Sequence, residues 1–184
     1  MRLFLDCETY SSADLKRCGA HAYARHPSTV LLMIGYQVDD EVLGPAPVAL
    51  WDVAAGAPMP EVLRSALGDE EVLLYAFNAN FEMALFDALG VLAFAPARWR
   101  CVQALALSYG LPGSLAGVCD ALELGPEHAK LTEGPRLLRT FCVPQAKDGR
   151  RILPADNPEA WERLGAYCCR DVVAARHIVQ RLTA

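Results

Sequence analysis

The first apolar run of the chain, Met1 to Asp6, has the aliphatic and aromatic content of a strand and ends in two carboxylates, Asp6 and Glu8. A longer run, Thr29 to Val38, predicts a second strand. Asp39 and Asp40 then turn the chain toward a third, within Ala46 to Val53, as its antiparallel hairpin partner. From Met59 to Leu67 the apolar spacing becomes helical, with Pro60 suited to a helix N-terminus. Glu71 to Asn78 reads as a buried strand, and helical periodicity resumes over Phe81 to Gly90, where glycine stops it.

The second half has a different pattern. Arg98 to Val102 predicts a short strand, Gln103 to Gly110 a short helix, and Gly113 to Leu122 another with Ser114 as its N-cap. Glycine and proline interrupt the pattern from Glu123 to about Pro135, and Pro144 to Pro158 is polar and irregular; both stretches read as loops. Pro158 to Leu182 is the longest helical segment, with Asn157 as N-cap and Pro158 at the first helical position. Antiparallel-capable strands, then strand and helix in alternation, then helices: this order describes an α/β fold, a mixed central sheet with helices on both faces.

At 184 residues and 53% hydrophobic content the chain has the size of one compact domain. Its formal charge of -5 argues against a protein that coats nucleic acid with a basic surface, although bound divalent ions would add positive charge that a residue count omits. The seven cysteines form no C-x-x-C pair, and their odd number predicts reduced, mostly buried thiols in a cytoplasmic protein. No apolar run reaches the roughly 18 residues of a membrane span. His21, His26, His128 and His177 lack zinc-ligand spacing, and neither a Walker loop nor a G-x-G-x-x-G is present.

Acids stand at three places where the local pattern favours something else. Side-chain alternation puts Asp6 and Glu8 on one strand face, and their repulsion costs stability unless a cation sits between them. Glu82 follows the buried strand, with Asn78 at that strand's end. Tyr167 and Asp171 lie four apart, on one face of the last helix. Each has an ordinary reading when taken singly: a solvated strand end, a first-turn glutamate complementing the helix dipole with Asn78 as cap, and an aspartate paired with Arg170. Together Asp6, Glu8, Glu82 and Asp171 supply four hard oxygen ligands of the kind a two-metal phosphoryl-transfer centre gathers around ions about 3.5–4 Å apart. Tyr167 would orient an attacking water there, since a phenol is a poor base at neutral pH.

The motifs D-x-E-T (Asp6 to Thr9), N-x-x-F-E (Asn78 to Glu82) and Y-x-x-x-D (Tyr167 to Asp171), in that order, resemble the three exonuclease motifs of the DEDD superfamily in its tyrosine-containing branch. The stretches "RCGAHAYARHPSTVLLMIGYQVDD", "ALSYGLPGSLAGVCDALEL" and "AYCCRDVVAARHI" look like the proofreading exonuclease domain at the N-terminus of phage-type and prophage-type family A DNA polymerases, and the similarity covers essentially the whole chain. The resemblance implies a ribonuclease H-like fold and a single 3′-to-5′ exonuclease domain over residues 1–184. It implies action on single-stranded DNA or DNA 3′ ends, with release of nucleoside 5′-monophosphates. Asp6, Glu8, Glu82 and Asp171 would hold two divalent cations, Mg²⁺ or Mn²⁺, Tyr167 would position the water, and Thr9 and Asn78 would contact the terminal nucleotide.

Most of the superfamily has Asp in the second motif where this chain has Glu82, one methylene longer, as polymerase-linked phage relatives often do. Those relatives continue into a polymerase domain, which makes a separate polymerase a candidate partner. RNA is the alternative substrate, as for a 3′-to-5′ exoribonuclease. A catalytically silent module that binds nucleic acid or a polymerase is the alternative from a different class. Lys130, Arg136, Arg139, Lys147, Arg150 and Arg151 read either as solvated surface or as a phosphate-tracking rim. Phe81 is a candidate for stacking on a terminal base, whereas Phe77, Trp51, Trp99 and Trp161 are assigned to packing, and Cys7 should point to the sheet face away from the acids.

Overall fold

The computed structural model describes residues 1–40, 42–124 and 133–183; within them six strands build one sheet and seven α-helices cover it. The first strand is longer than its apolar run. β1 spans Arg2–Tyr10 and carries Asp6 and Glu8 in its interior, not at its end. Its partner explains the extension: β2 (Val30–Asp40) runs antiparallel to it from Arg2↔Asp39 to Tyr10↔Val30, so main-chain bonding continues past the acids, with a register shift between Glu8 and Thr9. β3 (Gly44–Pro45) and β4 (Ala49–Asp52) pair antiparallel with β2, the hairpin expected from the sequence.

On its other side β1 meets β5 (Leu73–Ala76) in parallel, but only over Arg2 to Phe4, and β6 (Trp99–Cys101) continues parallel to β5. Asp6 and Glu8 therefore extend past the carboxyl end of β5, where the chain turns into α3 (Ala79–Leu89). Crevices of this kind, beyond the carboxyl ends of strands, are where open α/β sheets take ligands.

Alternation along β1 feeds two cores. Leu3, Leu5 and Cys7 pack with Leu63 and Leu67 of α2 (Glu61–Gly68) and with Leu85 and Phe86 of α3. On the other face Phe4 meets Val102 and Ala106 of α4 (Val102–Ser108), Val118 of α5 (Leu115–Ala121), and Val172 and Ile178 of α7 (Pro158–Thr183). Helices thus cover both faces, as the sequence order predicts, and Cys7 lies where alternation puts it. A third cluster joins Leu32 and Met33 to Phe141, Trp161 and Leu164. Trp99 and Trp161 pack edge-on against Phe86 and Phe141.

Predicted caps are present where their side chains are free to bond. Ser114 Oγ accepts from Gly117 N–H at 3.2 Å, and Asn157 Oδ1 accepts from Ala160 N–H at 3.2 Å. Asn78 occupies the N-cap of α3 without a side-chain capping bond. Two helices depart from the sequence expectation. α1 (Leu15–Ala24) buries only Tyr23 and Ala24 and is kinked at Gly19, whose φ of 76° breaks the helical run, so no apolar stripe announces it. α6 (Gly134–Phe141) begins inside the stretch read as a loop, because Pro135 is tolerated in a first helical turn, and it is anchored by Leu137 and Phe141 one turn apart. His128 and Lys130 lie outside the described residues. All seven cysteines are free thiols, and among the described residues no helix is long and apolar enough to cross a membrane.

Candidate active site

The site depends on how closely α7 approaches β1 and β2. Asp6 pairs in register with Gly35, and a Cβ built on Gly35 would lie 3.0 Å from Cys168 Sγ and 3.1 Å from the Cys168 carbonyl carbon. Only a glycine lets the helix backbone come this near. Gly35 N–H donates to Cys168 Sγ at 3.2 Å, and that thiol donates to the Asp6 main-chain oxygen at 3.4 Å. Tyr167 and Asp171, flanking Cys168 on α7, are thereby delivered beside the β1 acids.

A second glycine seats the phenol. A Cβ on Gly134, in the first turn of α6, would fall 2.5 Å from the Tyr167 ring, so the ring lies flush against the α6 backbone. Tyr167 is 5% exposed and hydrogen-bonds to Asp171. Burial first, then the charges of Asp171 and Glu8, drive its pKa far upward, so the hydroxyl keeps its proton throughout the neutral range.

One carboxylate oxygen from each of Asp6 and Glu8 lies with Cys168 Sγ inside a cluster less than 4.8 Å across. Glu8 is 6% and Glu82 3% exposed. Burial, followed by the charges of Asp171 and Glu82, raises Asp6 well above the ordinary carboxylate range. Burial and the charges of Asp6 and Asp171 do the same to Glu8. Glu82 is pushed up to about 8, chiefly by burial, against the opposing hydrogen bond from its own main-chain N–H. Its Oε2 is buried with no hydrogen-bond partner among the described residues. Among those residues no lysine, arginine or histidine forms an ion pair with Asp6, Glu8 or Glu82. Buried carboxylates left without a counter-charge, one with an orphaned oxygen, make a hard-oxygen set suited to divalent cations.

Beside Glu8 opens a groove of about 660 Å³. Thr9, Ser12, Lys16 and Arg139 of α6 line it together with Tyr23 and Phe81, whose ring centroids are 5.8 Å apart. Thr9 is buried, with its Oγ1 2.9 Å from the Tyr23 hydroxyl. Asn78 stays exposed at the head of α3 and is not part of this lining. Of the basic residues singled out in the sequence, Arg139 reaches the groove, while Arg136 pairs with Glu133 at 3.4 Å and Arg151 stacks 4.9 Å over Tyr10. Phe77 packs against the α7-side core, consistent with the packing role expected for it.

Sequence reasoning did not single out Gly35, Gly134, Cys168, Ser12, Lys16 or Tyr23. An isolated glycine inside the apolar run of β2 is itself a signal of close backbone approach, and it could have identified Gly35. No comparable local pattern marks the others.

No protein-family model matches the chain. The chain is 38% identical over 186 residues to a DNA polymerase of Bacillus phage SP02, an alignment covering 98% of this chain and 28% of that protein. The chain thus spans under a third of the relative's length. Among solved structures, a chain described as the apo form of the nuclease matches with a TM-score of 0.56 and 16% identity, over 99% of this chain and 71% of that one. At that identity the likeness is one of fold: a mixed sheet with helices on both faces, the ribonuclease H-like architecture expected from the sequence.

Proposed function

We propose that residues 1–184 act as one metal-dependent 3′-to-5′ exonuclease domain that hydrolyses the terminal phosphodiester of single-stranded DNA, or of frayed DNA 3′ ends, and releases nucleoside 5′-monophosphates. One observation carries this reading: acids from β1, α3 and α7 come within electrostatic reach of one another beside a groove that holds Lys16 and Arg139, and among the described residues Asp6, Glu8 and Glu82 pair with no cation. Similarity to part of a phage DNA polymerase and a fold shared with a nuclease support it.

Asp6, Glu8, Glu82 and Asp171 are the residues that would hold two divalent cations, Mg²⁺ or Mn²⁺. When bound, these would supply electrophilic activation of the phosphodiester and of the attacking water. The side chains do the rest. Tyr167 donates its hydroxyl hydrogen to Asp171, which leaves the phenolic oxygen to accept a hydrogen from water and aim that water's lone pair along the groove. Lys16 and Arg139, both in the groove lining, meet backbone phosphates, and Phe81 offers a face to the terminal base. Thr9, already bonded to Tyr23, contacts the terminal nucleotide from the groove floor. Asn78, exposed at the head of α3, would contact that nucleotide from outside the groove lining.

The test is digestion of a 5′-labelled single-stranded DNA oligonucleotide with Mg²⁺ or Mn²⁺, beside an RNA of equal length and the variants Asp6→Ala and Asp171→Ala. A ladder that shortens from the 3′ end and vanishes in both variants supports the proposal; faster loss of the RNA reassigns the substrate. A folded wild-type chain that cleaves neither polymer with either metal, yet retains DNA affinity, would be a binding module.

A further inference from the structure

At the opposite end of β1 a cavity of about 300 Å³ opens between the sheet, α4 and the last turn of α7. We propose that it is a second binding site, for a small amphipathic anion carrying one phosphate or carboxylate on an apolar body. Arg2 stands in its wall, four residues before Asp6; at about 3.3 Å per residue its backbone lies roughly 13 Å along the strand from the acid cluster. The inference does not depend on the nuclease reading.

The lining divides by chemistry. Tyr75, Val102, Leu105 and Val179 form an apolar wall, and Arg2 and Arg100 supply the charge. Among the described residues no acid lines the cavity, in a chain with 22 Asp and Glu against 17 Lys and Arg. Arg100 spends one guanidinium nitrogen on the main-chain oxygens of Ala97 and Trp99, both at 2.9 Å, and has no further partner among the described residues. Arg2 gives one nitrogen to Asp39 at 2.9 Å, while its Nε is buried without a partner. Behind the wall, Arg176 shares a helix face with Val179 and Thr183; it is 7% exposed, meets His177 Nε2 with one nitrogen, and also leaves its Nε unpartnered.

Two guanidinium groups, Arg2 and Arg100, thus line the cavity beside apolar surface, and the buried Nε of Arg2 has no acceptor among the described residues. A buried donor without an acceptor is costly, and an anion seated between Arg100 and Arg2 would give the Arg2 Nε its partner. The apolar wall then selects for a ligand with a hydrophobic body. Ligand sites of about 300 Å³ are at the small end of the usual range, and a single aromatic ring needs about half that space.

Phenyl phosphate is the probe, titrated into the full ¹⁵N-labelled chain in EDTA, where the metal-free acids at the other end repel anions. Saturable amide shifts are expected around Tyr75, Val102 and Leu105. Inorganic phosphate, lacking the ring, should bind about tenfold more weakly or worse. Arg100→Gln, at an exposed position, should cost about tenfold. Thr183→Glu, which brings a carboxylate to the cavity's edge, should weaken binding in the same direction. Shifts confined to the Thr9–Lys16 groove, absence of saturation, or undiminished binding by a folded Arg100→Gln protein would each overturn the proposal. Equal affinity for inorganic phosphate would refute its amphipathic half.

Discussion

Strand β1 carries buried charge toward both ends, and the two ends are compensated differently. Near its start Arg2 meets Asp39, its register partner across the β1–β2 ladder, at 2.9 Å, and Asp39 is 2% exposed. Further along, Asp6 and Glu8 join Glu82 with no cation from the described residues, and the Oε2 of Glu82 has no hydrogen-bond partner. A carboxylate buried for architecture receives its counter-charge from the adjacent strand. At the other end the described residues supply Asp6, Glu8 and Glu82 with no counter-charge. The first arrangement serves the folded state by itself; the second costs stability until a cation arrives.

The largest expected effect separates these roles directly. On the proposed reading Asp6→Ala should lower kcat by at least about a thousandfold, about 4 kcal/mol of barrier, because it would remove an oxygen ligand from the reacting centre. The same change relieves repulsion, so the metal-free variant should unfold at no lower denaturant concentration than the parent. Asp39→Asn should do the reverse, costing about 2–4 kcal/mol of stability by leaving Arg2 unpaired, with kcat per folded molecule unchanged. Denaturant unfolding alongside single-turnover kinetics measures both. Equal destabilisation by the two substitutions would break the comparison.

The next effect is in pH. A carboxyl whose pKa is raised in the folded state holds its proton longer there than in the unfolded chain, so the folded form binds more protons and stability falls as pH rises. For Glu82 the window runs from its ordinary 4.5 to about 8, and the upward shifts of Asp6 and Glu8 act in the same direction. Thermal unfolding in EDTA should therefore show stability declining by a few kcal/mol between about pH 5 and pH 8. Mg²⁺ should flatten the decline, because a cation replaces the proton as partner of the ionised acids. An EDTA profile that rises over this range would mean the acids are compensated within the chain.

Much of the site was legible because its spacings are local. A period of two puts Asp6 and Glu8 on one strand face, and a step of four puts Tyr167 and Asp171 on one helix face; both survive in the structure. What could not be read depends on contacts between distant segments. β1 outruns its apolar stretch because β2 continues beside it, and α1 went unseen because it buries two residues. The seats of Cys168 on Gly35 and of Tyr167 on Gly134 join positions far apart in the chain, which leave no period in the sequence.

Those seats make a smaller prediction that sharpens the contrast. Gly134→Ala should leave the chain folded at a cost of about 1–3 kcal/mol, since a Cβ 2.5 Å from the buried Tyr167 ring forces it aside and the first helical position gains little from alanine. The displaced ring should also lower kcat about tenfold with KM unchanged, because the phenol would no longer aim the water. If kcat is unaffected while stability drops, Tyr167 is a packing residue and the acid end is less preorganised than its geometry implies.

The smallest effect concerns Arg139, which lines the groove with Lys16 and makes no ion pair among the described residues. Since solvent and salt screen a contact at a groove wall, Arg139→Ala should raise KM for an oligonucleotide by only about threefold at low salt and leave kcat alone. The difference should shrink toward nothing as ionic strength rises, because a lost phosphate contact lowers the salt slope of binding by about one. Arg100→Ala, at the far cavity, should change neither KM nor its salt dependence. Were the Arg100 variant to match the Arg139 variant, the nucleic-acid track would extend along the whole α7 face, and the two ends of β1 would belong to one site.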